Sequence, residues 1–368
     1  MSQPLQVTDK PSQVGMSATA LEMVEGILNS EIDMGNITAA SLTVARNNTL
    51  VVSRGFGKMS PDPKSPDVSA DSIFLLASIT KPVTACAMMM LVQQGIISLD
   101  DPAAMYLPEL KGYEREKIRV KDLLSHTSGL PDMLPQNQEL RQANAPLSAF
   151  VQGAMTTPLL YTPGMDFRYQ SKGILLAAEI VERVSGKPLR DYEWEEIFEP
   201  LGMKNSALGM GTFNIQDTVW CGTSMEEPEK DKSFGPNSPY WRDMGHPWGG
   251  MHSTGQDLAI LLQTLLNGGA YDGQRVFSPA TVEAMTANQN LHLQKPWGLG
   301  WALARSLVWN YFGGLVSPPT FGHTGATGTV AWADPARQLI CVILTNKMVA
   351  NGHLLRRVSN AVSASIVD

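Results

Sequence analysis

A chain of 368 residues with 43% hydrophobic and 17% charged side chains has the balance of a globular protein, long enough for one large domain or two closely packed ones. Its net charge of -7 argues against nucleic acid as a partner, because phosphate backbones bind positive surfaces. Apolar runs stop at about eight residues, short of the roughly 18 that a membrane-spanning helix needs, so we expect no span.

The cysteines and histidines exclude several further classes. Cys86, Cys221 and Cys341 are widely spaced and form no C-x-x-C pair, which indicates a reducing compartment. We therefore expect a cytoplasmic location, although a chain that had lost an export signal would look the same. Histidines outside the motifs described below lack metal-ligand spacing, so neither a metal nor another cofactor is expected.

The N-terminal part is predicted to contain a flexible segment, a helix and a β-hairpin. Residues 1–16 are polar and include two prolines, whereas apolar residues recur at helical spacing within 18–32. The β-rich runs 39–46 and 49–56 are separated by Asn47-Asn48, a pair that tolerates the positive φ angles of a tight turn.

The next predicted helix carries a Ser-x-x-Lys pair, Ser78 and Lys81. Pro82 marks a helix start, since proline fits a first turn, and two residues three apart share one helix face. A serine hydroxyl needs an adjacent base to become a nucleophile, and a lysine can be that base when burial lowers its pKa. The tetrapeptide alone is weak evidence, because most such pairs lie on solvated helix faces.

Helical patterns dominate the middle of the chain, and β patterns return after it. The predicted helices are 173–184, 188–198 and 257–266, within a segment, 121–288, that we interpret as an inserted helical domain. The C-terminal part is predicted to form strands at 298–303, 321–325, 329–333 and 339–345 and a last helix at 353–367.

These elements predict an α+β fold. Residues 17–120 and 289–368 would build a single antiparallel sheet flanked by the N- and C-terminal helices. The active site would lie at the interface between this domain and the inserted, mostly helical domain. The long stretches 221–248 and 307–320 contain several aromatic residues each, and we expect them to form walls of a pocket.

Two other groups of residues are candidates for catalytic or substrate-binding roles. Tyr169 lies in a polar turn before a predicted helix, where its alternative role is to bond a backbone carbonyl. Residues 321–328 read Phe-Gly-His-Thr-Gly-Ala-Thr-Gly, and glycines within a strand mark the close approach of a ligand or another backbone.

Taken together, Ser78-x-x-Lys81, Tyr169-x-Ser171 and His323-Thr324-Gly325 resemble, in order and separation, the serine beta-lactamase and penicillin-binding-protein superfamily. The most similar branch is the class C-like group, which includes family VIII carboxylesterases, DD-peptidases and D-aminopeptidases. The resemblance covers nearly the whole chain and implies a beta-lactamase-like fold.

The resemblance also implies roles for individual residues. Ser78 would be the acylated nucleophile, Lys81 its buried proton acceptor and Tyr169 the general base that carries the proton to the leaving group. The backbone N–H groups of Ser78 and Ala326 would form the oxyanion hole. The residues on the substrate side would be Ser171, His323, Thr324, Gly325 and Trp248.

Two positions depart from the family pattern. Ser171 stands where Asn is usual, and His323 stands where Lys is usual. An imidazole with an ordinary pKa of about 6.5 is mostly neutral at neutral pH and would not pair with a carboxylate. We therefore expect carboxylate-bearing substrates to be poor at alkaline pH and to improve as the pH falls.

The favoured function is a serine hydrolase that cleaves carboxylic esters of small or medium acyl groups. A DD-peptidase, a D-amino acid amidase, a weak beta-lactamase and an acyltransferase are the enzymatic alternatives, and a non-catalytic ligand-binding or scaffold protein is the alternative from another class. The expected partner is a small-molecule ester or amide, and the sequence indicates no oligomeric state.

Overall fold

The computed structural model describes residues 3–222 and 233–368. The helices are α1 (Ala18–Asp33), α2 (Thr80–Gln93), α3 (Val120–Leu124), α4 (Asn137–Gln142), α5 (Leu147–Thr156), α6 (Lys172–Ser185), α7 (Leu189–Glu193), α8 (Glu199–Leu201), α9 (Pro239–Asp243), α10 (Gly255–Leu266), α11 (Pro279–Thr286) and α12 (His353–Ala364). The strands are β1 (Gln6–Val7), β2 (Ala39–Arg46), β3 (Thr49–Gly57), β4 (Phe74–Leu75), β5 (Ala207–Leu208), β6 (Met251–Ser253), β7 (Ala270–Tyr271), β8 (Gln274–Arg275), β9 (Ala302–Leu303), β10 (Phe321–Gly325), β11 (Thr329–Asp334) and β12 (Leu339–Thr345). Within those two ranges, no helix is both long enough and apolar enough to cross a membrane.

One seven-stranded sheet joins the two ends of the chain. Its strand order is β1-β3-β2-β12-β11-β10-β9, and every pairing is antiparallel except that of β1 with β3. The hairpin of β2 and β3 pairs with the C-terminal strands through β2 and β12, where Ala40 lies opposite Thr345. The predicted α+β fold with a mostly antiparallel sheet is therefore confirmed.

Helices cover both faces of this sheet. The terminal helices α1 and α12 pack against each other and against one face, where both place apolar side chains such as Val24, Leu28, Val358 and Val362 in one core. On the opposite face, α10 packs against β2, β11 and β12. The sequence analysis assigned α10 to the inserted segment 121–288; in the structure this helix packs on the sheet.

Helices α3, α5 and α7 pack around α6, which lies beside α2. Helix α2 is buried along nearly its whole length and packs against α6 and α7. A helix that is apolar all round must be covered on every side. The 3-10 turn Ala77–Ile79, which precedes α2, contacts β10 and β11 of the sheet. The first turn of α2, which carries the candidate lysine, therefore directly follows a turn that lies against the sheet.

The N-terminal segment differs from the prediction. Residues 3–16 contain β1 and a 3-10 helix, Pro11–Val14, instead of an irregular lead-in. Arg46 holds the end of this segment, since its Nη1 donates to the carbonyl oxygens of Val14 and Gly15. Residues 3–16 are thus part of the folded body.

At the C-terminal side, the strand predicted at 298–303 is reduced to β9. The N–H of Gly298 bonds the carbonyl oxygen of Trp301. Gly300 has a φ of 79°, so a turn occupies the first half of the predicted strand.

Candidate active site

Ser78 lies on a short 3-10 turn, Ala77–Ile79, that leads from β4 into α2. Ala77 has a φ of 50°, a left-handed conformation that is unfavourable for a residue with a side chain. The surrounding sheet holds this turn, because Thr327 Oγ1 donates to the carbonyl oxygen of Leu75 at 2.9 Å and Thr329 Oγ1 donates to that of Leu76 at 2.8 Å. Strained backbone of this kind persists only where neighbouring groups fix it.

Gly325, at the end of β10, allows the sheet to come this close. A Cβ atom at this position would lie 2.1 Å from the carbonyl oxygen of Leu76 and 2.2 Å from Thr329 Oγ1. The glycine is therefore required by the backbone that precedes Ser78. Gly325 lies against the backbone that leads to Ser78, and it is not among the residues that line the cavity described below.

Lys81 lies within hydrogen-bonding distance of Ser78. Its Nζ lies 3.1 Å from Ser78 Oγ and donates to the carbonyl oxygen of Trp248 at 3.0 Å. The side chain is only 1% exposed. Burial lowers the pKa of Lys81 to about 7; Asp132 opposes this shift and Lys172 adds to it. Near neutral pH a large share of Lys81 is therefore an amine with a free lone pair.

Tyr169 approaches the same pair from the helical side. The ring is half-buried and its centroid lies 4.8 Å from Lys81 Nζ, while the hydroxyl is buried and has no well-formed hydrogen bond within the described residues. Burial raises the pKa of Tyr169 well above 10. A loosely formed hydrogen bond with the Ser78 hydroxyl partly opposes this shift, and the negative charge of Asp132 adds to it. Tyr169 is thus a neutral phenol at neutral pH.

A cavity of about 540 Å³ opens onto these three side chains. Of the residues predicted for the substrate side, Ser171 and Trp248 line it. Ala326, predicted for the oxyanion hole, lines it as well, together with Thr327. Trp241 and Trp309 add aromatic walls, and the Trp309 ring lies 5.4 Å from that of Tyr169. The cavity is therefore open to Ser78 and has several aromatic side chains in its wall.

His323 and Thr324 lie behind the cavity wall. Both are fully buried, and neither lines the cavity. The His323 ring lies 5.9 Å from that of Tyr169 and 5.6 Å from that of Trp297, and its Nδ1 donates to the carbonyl oxygen of Thr324. Burial lowers the pKa of His323 to about 3, with Lys81 adding to the shift. The structure therefore places His323 away from the cavity and does not favour the expected titration against substrate near neutral pH.

Two charged residues at the site were missed by the sequence reasoning. Asp132 lines the cavity and accepts a 2.7 Å hydrogen bond from Ser171 Oγ. The hydroxyl proton of Ser171 is therefore already donated to Asp132. Lys172, the first residue of α6, is fully buried. Lys172 directly follows Ser171, the last residue of the Tyr169-x-Ser171 motif. This proximity to the motif is the feature of the sequence that could have identified Lys172 as a candidate.

The two segments expected to form pocket walls both reach the cavity. Cys221, Pro236 and His246 line it from the first segment, whose residues 223–232 lie outside the described structure, and Trp309 lines it from the second. Burial raises the pKa of the Cys221 thiol to about 11, so Cys221 is a poor nucleophile.

Comparison with known proteins identifies relatives over nearly the whole chain. The sequence model of the Beta-lactamase family matches residues 24–364. A Salmonella agona protein with the provisional name D-alanyl-D-alanine carboxypeptidase is 28% identical over 380 residues, which cover 94% of this chain and 86% of the relative.

Solved structures share the fold. A penicillin-binding protein homologue from Caulobacter crescentus superimposes with a TM-score of 0.78 and 25% identity over 95% of this chain and 99% of that one. A family VIII carboxylesterase superimposes with a TM-score of 0.75 and 20% identity over 95% and 99% of the respective chains.

Proposed function

Because this chain belongs to the beta-lactamase family of serine hydrolases, we propose that it cleaves carboxylic esters of small or medium acyl groups through an acyl-enzyme on Ser78. The observation that carries the proposal is the 3.1 Å approach of Lys81 Nζ to Ser78 Oγ, made by a buried lysine whose pKa is lowered to about 7. A lysine on a solvated helix face would have neither property. The pair therefore has both the geometry and the proton affinity that a nucleophile and its base require.

In the proposed acylation step, Ser78 Oγ forms a bond to the ester carbonyl carbon while its proton moves to the neutral amine of Lys81. The tetrahedral intermediate then breaks its bond to the leaving alcohol, which takes up that proton. Water later attacks the acyl-enzyme by the reverse proton path and releases the carboxylic acid. We assign the oxyanion hole to the backbone N–H groups of Ser78 and Ala326, two donors that together contribute several kcal/mol in enzymes of this kind.

Of the two roles expected for Tyr169, general base and proton carrier to the leaving group, this scheme uses the second. Its raised pKa keeps the phenol protonated, so Lys81 is the better general base. A protonated phenol beside Lys81 can instead donate to the leaving oxygen and be reprotonated by the lysine. Tyr169 is therefore proposed as the proton carrier between Lys81 and the leaving group.

Several features favour a neutral ester. Buried His323 presents no cation at the position where related sites hold a lysine, and the cavity walls include Trp241, Trp248 and Trp309. Aromatic walls favour apolar acyl or alcohol groups. The fold shared with a family VIII carboxylesterase is consistent with this substrate class.

A second candidate, hydrolysis of D-amino acid amides or peptides, rests on Asp132. Its carboxylate lines the cavity and could receive the ammonium group of an amino-acid substrate, with Ser171 as a neighbouring hydroxyl. The provisional name of the Salmonella relative points to peptide substrates as well.

One panel of substrates separates the candidates. Purified wild-type protein and Ser78→Ala would be assayed with p-nitrophenyl esters of short, medium and long acyl chains, D-amino acid amides, a D-Ala-D-Ala peptide and a chromogenic cephalosporin. Ester turnover that Ser78→Ala abolishes supports the proposal, and an added alcohol would reveal acyl transfer as a second product. Turnover confined to the ammonium-bearing amides, and lost in Asp132→Asn, would replace the ester proposal with the second candidate.

The three cysteines are free and buried, which fits the reducing, cytoplasmic location that we infer from their spacing.

A further inference from the structure

A second buried lysine lies close to the catalytic pair. Lys172 is 0% exposed, and its Nζ has no hydrogen-bond partner and no ion pair among the residues that the structure describes. A buried ammonium without a partner is costly, because burial removes its hydration. Such a group calls for an explanation, and the proposed acyl-enzyme chemistry gives Lys172 no direct part.

Aromatic rings surround the Lys172 ammonium. Its Nζ lies 4.0 Å from the centroid of the Trp248 ring and 5.6 Å from that of Phe150, and those two rings lie 6.0 Å apart. Tryptophan is the ring that attracts a cation most strongly, and the attraction grows when both groups are desolvated. The ammonium is therefore held chiefly by the face of Trp248.

Trp248 connects this cation to the catalytic lysine. Its backbone carbonyl oxygen accepts the 3.0 Å hydrogen bond from Lys81 Nζ, while its ring faces Lys172 and also forms part of the cavity wall. One residue thus contacts both lysines, and a change in its position would move the base relative to Ser78.

We propose that Lys172 is a positioning residue for acylation: its buried ammonium fixes Trp248, and its positive charge disfavours a second positive charge on Lys81. The proposal rests on the role of Lys81 in the proposed function. A neighbouring cation is an established way for a protein to keep a lysine amine unprotonated. Lys172 touches neither the nucleophile nor the cavity, so it acts only through Trp248 and Lys81.

The electrostatics agree with this geometry. Burial lowers the pKa of Lys172 to about 8, against about 7 for Lys81, and Asp132 opposes the shift of both. As the pH falls, Lys172 therefore gains its proton first and then hinders protonation of Lys81. The other titratable groups that act electrostatically on Lys81 or Lys172, or are acted on by them, are Asp132, His126, His246 and His323, and the Tyr169 ring contacts Lys81. Burial keeps all three of these imidazoles neutral across this range.

The test is the pH dependence of Ser78 phosphonylation by a fluorophosphonate, measured by intact mass. In this reaction the Ser78 oxygen displaces fluoride from phosphorus and its proton goes to Lys81, so the rate reports the base without requiring the natural substrate. Lys172→Met and Lys172→Gln remove the charge, Lys172→Arg retains it, and Phe150→Leu disturbs the same apolar surroundings without changing charge. Thermal unfolding would confirm that each variant is folded.

Removal of the charge should move the acid limb of the rate profile upward by roughly half a pH unit to one pH unit, as expected for two nearby like charges. Rates near pH 7 should then fall by about twofold to fivefold, whereas rates at alkaline pH, where wild-type Lys172 is itself neutral, should differ less. Lys172→Arg and Phe150→Leu should leave the acid limb of the rate profile at its wild-type pH.

Two results would overturn the inference, and they are distinguishable from failure of the proposed function. Equal loss at every pH in Lys172→Met and Lys172→Gln would show that Lys172 only fills space. If the acid limb shifts as far in Phe150→Leu as in Lys172→Met, packing and not charge determines the pH at which the limb lies. Wild-type protein whose Ser78 is not labelled at all would instead overturn the proposed function, and this inference with it.

Discussion

Lys81→Met is expected to stabilise the protein at neutral pH while abolishing its activity. Folding lowers the pKa of Lys81 from 10.5 to about 7, and each pKa unit corresponds to about 1.4 kcal/mol. At pH 7 the lysine is fully protonated in the unfolded chain and about half protonated in the folded one, so its burial costs about 4 kcal/mol. Methionine has a similar length and carries no charge.

The gain is reduced by the hydrogen bonds that the substitution removes. Lys81 bonds Ser78 Oγ and the carbonyl oxygen of Trp248, and each bond contributes about 1 kcal/mol net. The free energy of unfolding of Lys81→Met should therefore exceed that of the wild type by about 2 kcal/mol at pH 7.

The sign of this difference should change with pH. Between about pH 7 and 10.5 the unfolded wild-type chain binds more protons than the folded one, so wild-type stability rises with pH across that window. The variant lacks this contribution. The two proteins should be equally stable near about pH 9, and the variant should be less stable by about 1 to 2 kcal/mol near pH 10.5.

Urea unfolding followed by tryptophan fluorescence, at several pH values from 7 to about 10, would measure the difference. Lys64→Met is the matched control, because Lys64 is exposed; its effect should be small at every pH. A difference between Lys81→Met and wild type that does not change with pH would refute the reasoning, since it would mean that the folded state does not shift the Lys81 pKa.

Further predictions concern activity and the backbone at the site. The wild-type kcat/KM for a neutral ester should rise as the pH increases through about 7, because Lys81 must lose its proton to act as a base. Tyr169→Phe should lower kcat by roughly 10² to 10⁴ without moving this limb, as its phenol stays protonated; a shifted limb in the pH–rate profile would make Tyr169 the base. The ratio of kcat/KM values for paired carboxylate-bearing and neutral substrates should stay flat from about pH 6 to 8.5, because buried His323, with a pKa of about 3, remains neutral; a ratio that follows an imidazole titration would return His323 to the substrate side. Gly325→Ala should lower both ester turnover and melting temperature, because its Cβ would lie 2.1 Å from a backbone oxygen. Gly26→Ala is the control, since Gly26 lies on α1 and a Cβ there would have nothing within 4 Å. This control should stabilise the protein by about 0.5 to 1 kcal/mol and leave turnover unchanged. Equal effects of the two glycine substitutions in parallel melting and activity assays would contradict the close approach at Gly325.

The parts of the fold that depend on local signals were predictable. Helix α6 ends at Gly186, whose φ of 72° needs a glycine, and α10 begins at the cap residue Thr254, whose side chain accepts from the N–H of Asp257. In both cases the residues that determine the boundary are neighbours in sequence. The location of α10 was not predictable, because an apolar stripe shows that a helix face is buried but not what covers it.

The same distinction applies to the candidate site. Ser78 and Lys81 are three residues apart, so their proximity followed from helical geometry. The depth of His323, the contact of Lys172 with Trp248 and the position of Asp132 all depend on packing between distant segments. A residue type and its motif can be read from the sequence, whereas its burial, and hence its pKa, comes from the tertiary structure.

Trapping the acyl-enzyme tests the central claim most directly. Wild-type protein would be mixed with a p-nitrophenyl ester, quenched in acid within the first turnovers and analysed by intact mass and peptide mapping. Ser171→Ala is the control, since Ser171 is another serine that lines the cavity. The account predicts a mass increase of one acyl group on the peptide that contains Ser78, present in Ser171→Ala and absent in Ser78→Ala. An acyl group on another residue, or one that persists in Ser78→Ala, would contradict it.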